Sequence, residues 1–141
     1  MAKIAINPKS LPVSPVYNRG IKVGNTIYIA GATARLTNGQ IVGDGKDYAL
    51  EVRTCLDNIR KVVEDGGGKM SDVVRLTCFM TDINFGAETG KAIQEAFPGM
   101  KPAVTGIVIT SLGNASKNAH VEIEATAVIE RPKKKAKQKK R

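Results

Sequence analysis

The chain has 141 residues and a formal charge of +9. That length suits one domain with a substantial core and leaves little room for a second. The longest apolar runs, at 27–34 and 103–109, are far shorter than the roughly 20 residues that a bilayer requires. No basic-then-apolar leader opens the chain. We therefore expect a cytoplasmic protein with no membrane partner.

The excess of positive charge lies at the C-terminus. Residues 131–141 contain eight basic and no acidic side chains, which leaves 14 basic against 13 acidic side chains in residues 1–130. This composition predicts a nearly neutral domain at 1–130 and a basic, flexible tail at 131–141. The segment from Lys133 to Arg141 has the charge to bind nucleic-acid phosphates weakly. Such binding would be non-specific, because no aromatic side chain is interleaved to stack on a base.

The N-terminal third predicts extended structure. Residues 1–18 contain Pro8, Pro12 and Pro15, a spacing that excludes a helix or a central strand and indicates an extended lead-in. Residues 26–30 are rich in β-formers and lie between turn signals at 24–25 and 37–40. This part of the chain therefore predicts a hairpin or meander.

The most regular pattern predicts a helix over 48–63. Its apolar side chains recur at steps of three and four residues, Asp44 or Asp47 is placed to cap its start, and the glycines at 66–68 end it. A weaker helical pattern covers 88–97 and stops at Pro98.

Three further segments predict strands. In 73–81 the alternation places Val74, Leu76, Cys78 and Met80 on one apolar face. Strands are also expected over 103–110 and 120–129. The order of elements predicts an α+β fold in which two helices cover one face of a mixed sheet.

The last strand carries the most reactive set of side chains. His120, Glu122 and Glu124 alternate along it, so we expect them on one face, with neighbours about 7 Å apart. They suit either acid and base catalysis or a solvated or interface-facing polar side of the sheet. His120 is the single histidine, which argues against a metal site or a nucleophilic triad.

Other chemistry finds little support in the sequence. The glycine-rich segments do not match a phosphate-binding loop, so we expect no cofactor. Cys55 and Cys78 fall within a predicted helix and a predicted strand, without the spacing of a metal or redox pair. We interpret them as buried, reduced thiols.

Several segments, taken together and in order, resemble the Rid family of reactive-intermediate deaminases, also called RidA/YjgF. They are PVYNRG at 15–20, a strand ending IAG at 29–31, LDNI at 56–59, the strand at 73–82, PA at 102–103 and VEIEA at 121–125. The resemblance covers nearly all of residues 1–128. It implies a chorismate-mutase-like subunit that assembles as a homotrimer, with a small-molecule cleft at each subunit interface.

The resemblance also implies roles for individual residues. Tyr17 matches a ligand-contacting tyrosine, Gly31 a glycine at which the backbone approaches the ligand, and Glu122 a catalytic glutamate that activates or orients water. Val104 stands where active members have a carboxylate-binding arginine, and Thr105 is the next ligand-binding position. Valine has neither charge nor donor, so the cleft lacks the usual anchor.

Three functions remain open at this stage. The first is a trimer whose clefts bind a small metabolite, with the enamine or imine deaminase activity impaired or altered by Val104. The second is a hydrolase like the 2-iminobutanoate/2-iminopropanoate deaminases that uses a displaced cation, for which Arg19 is nearest to Tyr17 and Arg75 is a weaker candidate. The third is an RNA- or ribosome-associated protein that acts through the basic tail, in line with translation and ribonuclease roles sometimes attached to the family.

Overall fold

The computed structural model describes residues 1–113 and 118–130, and it contains one mixed sheet and two α-helices. In chain order the elements are β1 (Lys3–Ile6), β2 (Gly20–Val23), β3 (Thr26–Ala32), α1 (Tyr48–Asp65), β4 (Val73–Met80), α2 (Gly86–Ala96), β5 (Ala103–Val108) and β6 (Val121–Val128). Across the sheet the strands run β1, β2, β3, β6, β4, β5. Strands β4 and β5 are parallel, and the other neighbours are antiparallel. The predicted α+β architecture is confirmed.

Helix α1 forms where the sequence predicts it, and its ends follow from local chemistry. Asp47 caps the start, because its side chain accepts a hydrogen bond from the Leu50 N–H. Asp44 is not the cap: it lies in the preceding turn with a φ of 56°. The helix ends at Asp65, and Gly67 adopts a φ of 90° that glycine accepts at little cost.

The two faces of the sheet differ in what covers them. Helix α1 packs against β3 and β6, and α2 packs against α1. Strand β6 alternates accordingly, since Val121, Ile123, Ala125 and Ala127 are buried while the residues between them are not. We call the other side the open face; it carries Tyr28, Arg75, Thr77, Glu122, Glu124 and Thr126.

Two details differ from the sequence prediction. Within the lead-in, Lys3–Ile6 forms the edge strand β1, which lies before the first proline and so escapes its restriction. Val74 does not share the buried face of Leu76, Cys78 and Met80. The pairing of β4 with β6 shifts between Val73 and Arg75, and this irregularity leaves Val74 exposed.

No helix in residues 1–113 or 118–130 is long and apolar enough to cross a membrane. The tail at 131–141, including the proposed nucleic-acid segment at 133–141, lies outside the described residues. Within the described ranges, His, Cys, Asp and Glu side chains form no group of three that could hold a metal ion.

Candidate functional site

The site is built around Gly31, at the end of β3. The pairing of β3 with β6 shifts between Ile29 and Ala32, which places Gly31 at a bulge directly beneath Glu122. A Cβ atom at position 31 would lie 2.1 Å from Oε1 and 2.9 Å from Cγ of Glu122. Only glycine therefore allows the Glu122 side chain to occupy this place.

The environment of Glu122 changes its acidity. It lies on the open face opposite Phe79 of β4 and is partly buried. Burial raises the pKa of the Glu122 carboxyl, and the nearby Glu124 carboxylate raises it further. A carboxyl with a raised pKa keeps its proton to a higher pH than an ordinary glutamate does, which is the direction that favours proton transfer to or from a ligand.

Arg19 lies near the end of β3, and Tyr17 of the lead-in lies beside it. The Nε and Nη2 groups of Arg19 both donate to the Pro12 carbonyl, and its guanidinium lies 5.3 Å from the centre of the Tyr17 ring. Arg19 and Gly31 line one cavity. The chain thus places Arg19 in the cavity on the α1 side of Gly31 and Glu122 on the open-face side, with Tyr17 next to Arg19.

Val104 and Thr105 lie elsewhere in the same chain. Both belong to β5, three strand spacings or about 14 Å from β3 across the sheet. Val104 pairs with Leu76 and so is on the side of the sheet where the helices pack, whereas Thr105 accepts a hydrogen bond from Nη2 of Arg75 at 3.0 Å. One chain does not bring positions 104 and 105 to Gly31.

His120 does not share the open face with Glu122 and Glu124, so that expectation is wrong. It precedes β6, and its ring Nδ1 lies 3.0 Å from Oε2 of Glu51, a fully buried carboxylate on α1. The His120 N–H also donates to Oε1 of Glu51. The imidazole is therefore held at the helix side, where it packs edge-on against Phe85.

Comparison with known proteins decides the family. The model of the family described as Endoribonuclease L-PSP matches residues 8–129. The chain is 36% identical, over 84% of its length and 89% of the relative, to a protein of Dermatophagoides farinae named 2-iminobutanoate/2-iminopropanoate deaminase. It is 30% identical to the Escherichia coli protein of the same name, with 79% of this chain and 86% of that one covered. The chain belongs to this family, the Rid family.

Solved structures agree with that assignment. A Rid-family protein of unknown function from Yersinia pestis superposes with a TM-score of 0.82 at 27% identity, over 91% of this chain and all of that one. The Rid fold recognised from the sequence is therefore the fold of the chain.

Sequence reasoning missed Arg35 and the part of α1 that faces it. Arg35, Asn58 and Val62 line the cavity that Gly31 and Arg19 also line. Asn58 is buried and donates its side-chain amide to the Thr33 carbonyl at 3.0 Å, which holds β3 against the helix. The available signals were the place of Asn58 in the LDNI segment at 56–59 and its polarity within the apolar stripe of α1. Nothing in the Rid motifs marks Arg35.

The cysteines offer no nucleophile to this site. Cys55 and Cys78 are free and buried, as expected. Burial raises the pKa of Cys78 to about 11 and that of Cys55 well above its usual value. Both thiols are therefore protonated at neutral pH, and a protonated thiol is a poor nucleophile.

Proposed function

We propose that the protein is a Rid-type cleft protein that binds a small imine, enamine or related metabolite beside Gly31 and Glu122. In this proposal its deaminase activity is altered because Val104 replaces the arginine of active members. The observation that carries the proposal is the Glu122 carboxyl, which lies over Gly31 on the open face with a raised pKa. Relatives named as deaminases support the choice of reaction.

The chemistry that suits this carboxyl is hydrolysis of a C=N bond. A protonated Glu122 would donate its proton to the imine nitrogen, and the resulting carboxylate would take a proton from the attacking water. The C–O bond forms as the C=N π bond is lost. Collapse of the adduct then releases ammonia and leaves a carbonyl, so that one imine and one water give one carbonyl product and one ammonia.

Val104 lowers the expected activity on imines derived from amino acids. A charge-assisted hydrogen bond contributes roughly 1.5–3 kcal/mol, and a guanidinium donates two of them to a carboxylate. The loss of even one corresponds to about a tenfold to hundredfold loss in transition-state binding. The substrates turned over best by this chain are therefore those that do not depend on a cation at position 104.

A homotrimer would complete the cleft. All six residues of β5 are exposed, and they include the apolar side chains Val104, Ile107 and Val108. Tyr28 of the open face is 56% exposed. An uncovered sheet face and an unpaired edge of this kind favour burial against other copies. Such contacts would place positions 104 and 105 of one chain next to Gly31 and Glu122 of its neighbour.

The test is ammonia release from an aminoacrylate-generating system. We expect weak release by the unaltered protein, a gain of about tenfold or more in Val104→Arg, and loss of that gain when Glu122→Gln is added to Val104→Arg. Val104→Leu serves as a control at the same position that adds bulk but no charge. Rapid release by the unaltered chain that Val104→Arg does not increase would refute the proposed impairment.

The same assay addresses the second candidate, a deaminase that uses a displaced cation. That reading is favoured by one observation, the presence of Arg19 and Arg35 in the cavity beside Gly31. It predicts ammonia release by the unaltered chain that depends on one of these arginines. Single substitutions of each by glutamine would identify which.

A further inference from the structure

Helix α1 carries two buried polar side chains on one face, Glu51 and Asn58. They are separated by about two helical turns, so they point the same way. Asn58 donates to the Thr33 carbonyl, just beyond the end of β3. Glu51 accepts hydrogen bonds from His120, just before the start of β6. Each of them therefore holds the backbone of one of the two strands that form the site around Gly31.

Glu51 is a fully buried carboxylate, and both of its oxygens are bound by the residue that precedes β6. Oε1 accepts the His120 backbone N–H, and Oε2 lies 3.0 Å from Nδ1 of the ring. Among the described residues, no other basic side chain pairs with it. Burial raises the pKa of Tyr48 to about 12 and that of Cys55 well above its usual value, so these neighbours on α1 are uncharged at neutral pH. A buried carboxylate is costly without a partner, and here that partner is His120.

The backbone that follows the His120 N–H is also held. The His120 carbonyl accepts from the Thr81 N–H at 3.0 Å. The Cys55 thiol donates to the Val121 carbonyl at 3.8 Å. Successive backbone groups at the start of β6 are thus bound to α1 or to the residue after β4. Glu122 is the next residue, so these contacts fix the point from which its side chain projects.

The bond to Glu51 also decides on which side of the sheet the imidazole lies. Alternation along β6 would place His120 on the open face, about 7 Å from Glu122. Glu51 instead holds the ring on the helix side, where it packs against Phe85. A protonated imidazole beside Glu122 would favour the ionised carboxyl, which opposes the rise in pKa that burial and Glu124 produce.

We propose that Glu51 is a positioning residue. Through His120 it fixes the start of β6 and keeps the imidazole off the open face, so that the Glu122 carboxyl lies over Gly31. The proposal rests on the proposed function for its consequence, because the placement of Glu122 affects catalysis only if Glu122 transfers protons. The placement itself can be measured without any activity.

The test follows the side-chain carboxyl of Glu122 by ¹³C NMR during a pH titration of the full-length protein. Glu122→Gln identifies its signal. Glu51→Met keeps an unbranched side chain of similar length and loses both acceptor oxygens, so the titration midpoint of Glu122 should fall toward the ordinary value for a glutamate. Glu51→Gln keeps an acceptor for the His120 N–H and should retain most of the native midpoint.

Asp72→Ala is the matched control for a general loss of stability. Asp72 is also a buried carboxylate, and it precedes Val73, at the end of the β4 and β6 pairing that is farthest from Glu122. Its removal should lower the free energy of unfolding and leave the Glu122 midpoint as it is in the native chain. An equal fall of the midpoint in Asp72→Ala and in Glu51→Met would overturn the proposal.

A second variant keeps the test decisive if Glu51→Met does not fold. Combining Glu51→Met with His120→Leu replaces both partners by apolar side chains, an exchange that is often neutral for stability. The start of β6 is then no longer tied to α1, so the Glu122 midpoint should again fall, although less than when a free imidazole is present. A native midpoint in the folded variants would show that Glu51 does not position Glu122.

Ammonia release separates this proposal from the proposed function. In the Val104→Arg background, Glu51→Met should lower kcat about tenfold or more with little change in KM, as expected for a misplaced catalytic group. If Glu51→Met leaves the Glu122 midpoint unchanged while ammonia release still requires Glu122, the positioning role is wrong and the proposed function stands. If the midpoint falls but no variant releases ammonia, the positioning role stands and the proposed function is wrong.

Discussion

The two faces of the sheet belong to the same strands but carry different side chains. On the covered face β6 presents Val121, Ile123, Ala125 and Ala127, all buried against α1. On the open face the same strand presents Glu122, Glu124 and Thr126. Alternation along one strand thus separates stability from chemistry, because a residue needed for one face cannot serve the other. Substitutions on the covered face should therefore change folding, and those on the open face should change binding and assembly.

The largest effect is expected at the centre of the covered face. Ile123→Ala removes a fully buried side chain and should lower the free energy of unfolding by about 2–5 kcal/mol. Glu124→Ala, the adjacent open-face residue, should change it by about 0.5 kcal/mol or less. Urea denaturation of both variants checks this. Similar losses for the two would show that the open face is itself a core.

A smaller effect is expected where a glycine lies against the core. At Gly66 an added Cβ would be 2.6 Å from Cδ1 of Ile27 and 2.8 Å from Cδ1 of Ile6. Gly66→Ala should therefore cost about 1–3 kcal/mol of stability through overpacking. Gly20→Ala, which meets Val62 at 2.7 Å, should behave similarly. Thermal unfolding measures both, and no loss in either would mean that these contacts relax freely.

Gly31 should respond in the opposite way, with little loss of stability and a large loss of function. Its added Cβ meets the movable Glu122 side chain rather than the core, so Gly31→Ala should displace the carboxylate. Its cost in unfolding free energy should disappear when Glu122→Ala is present, as a double-mutant cycle would show. If Gly31→Ala still lowers the free energy of unfolding in the Glu122→Ala variant, Gly31 is required by the fold and not by the Glu122 side chain.

The smallest effect is a pH dependence of stability. Because the pKa of Glu122 is raised on folding, its ionised form opposes folding above that folded pKa, and the penalty vanishes as pH falls below the unfolded value of about 4.3. Glu122→Gln should therefore be more stable than the native chain at pH 7 and lose that advantage toward pH 4. Glu124→Gln removes only the repulsion and should give a smaller gain. A pH-independent difference would contradict the assigned cause.

Sequence patterns predicted what depends on local periodicity. Helix α1 and the alternation of β6 follow from spacing alone, whereas spacing left the cap of α1 open between Asp44 and Asp47. The bulge that exposes Val74, the edge strand at Lys3–Ile6 and the turn of His120 toward Glu51 depend on pairing between distant segments, which spacing does not report. In the site, Gly31 and Glu122 came from the family resemblance. Arg35 could not be predicted in this way, because the cavity that it lines exists only once β3, α1 and the lead-in have packed together.

Subunit mixing determines whether the open face and β5 meet in a cleft between copies. In one chain Val104 lies about 14 Å from the Gly31 strand. A chain with both Val104→Arg and Glu122→Gln should be inactive alone. When this variant is mixed and re-equilibrated with the native chain, ammonia release should be well above the sum of the rates of the two separate proteins. The reason is that an arginine at 104 of one chain meets an intact Glu122 of the other across the interface. If the mixture stays at that sum while Val104→Arg alone is active, position 104 and Glu122 do not meet across an interface.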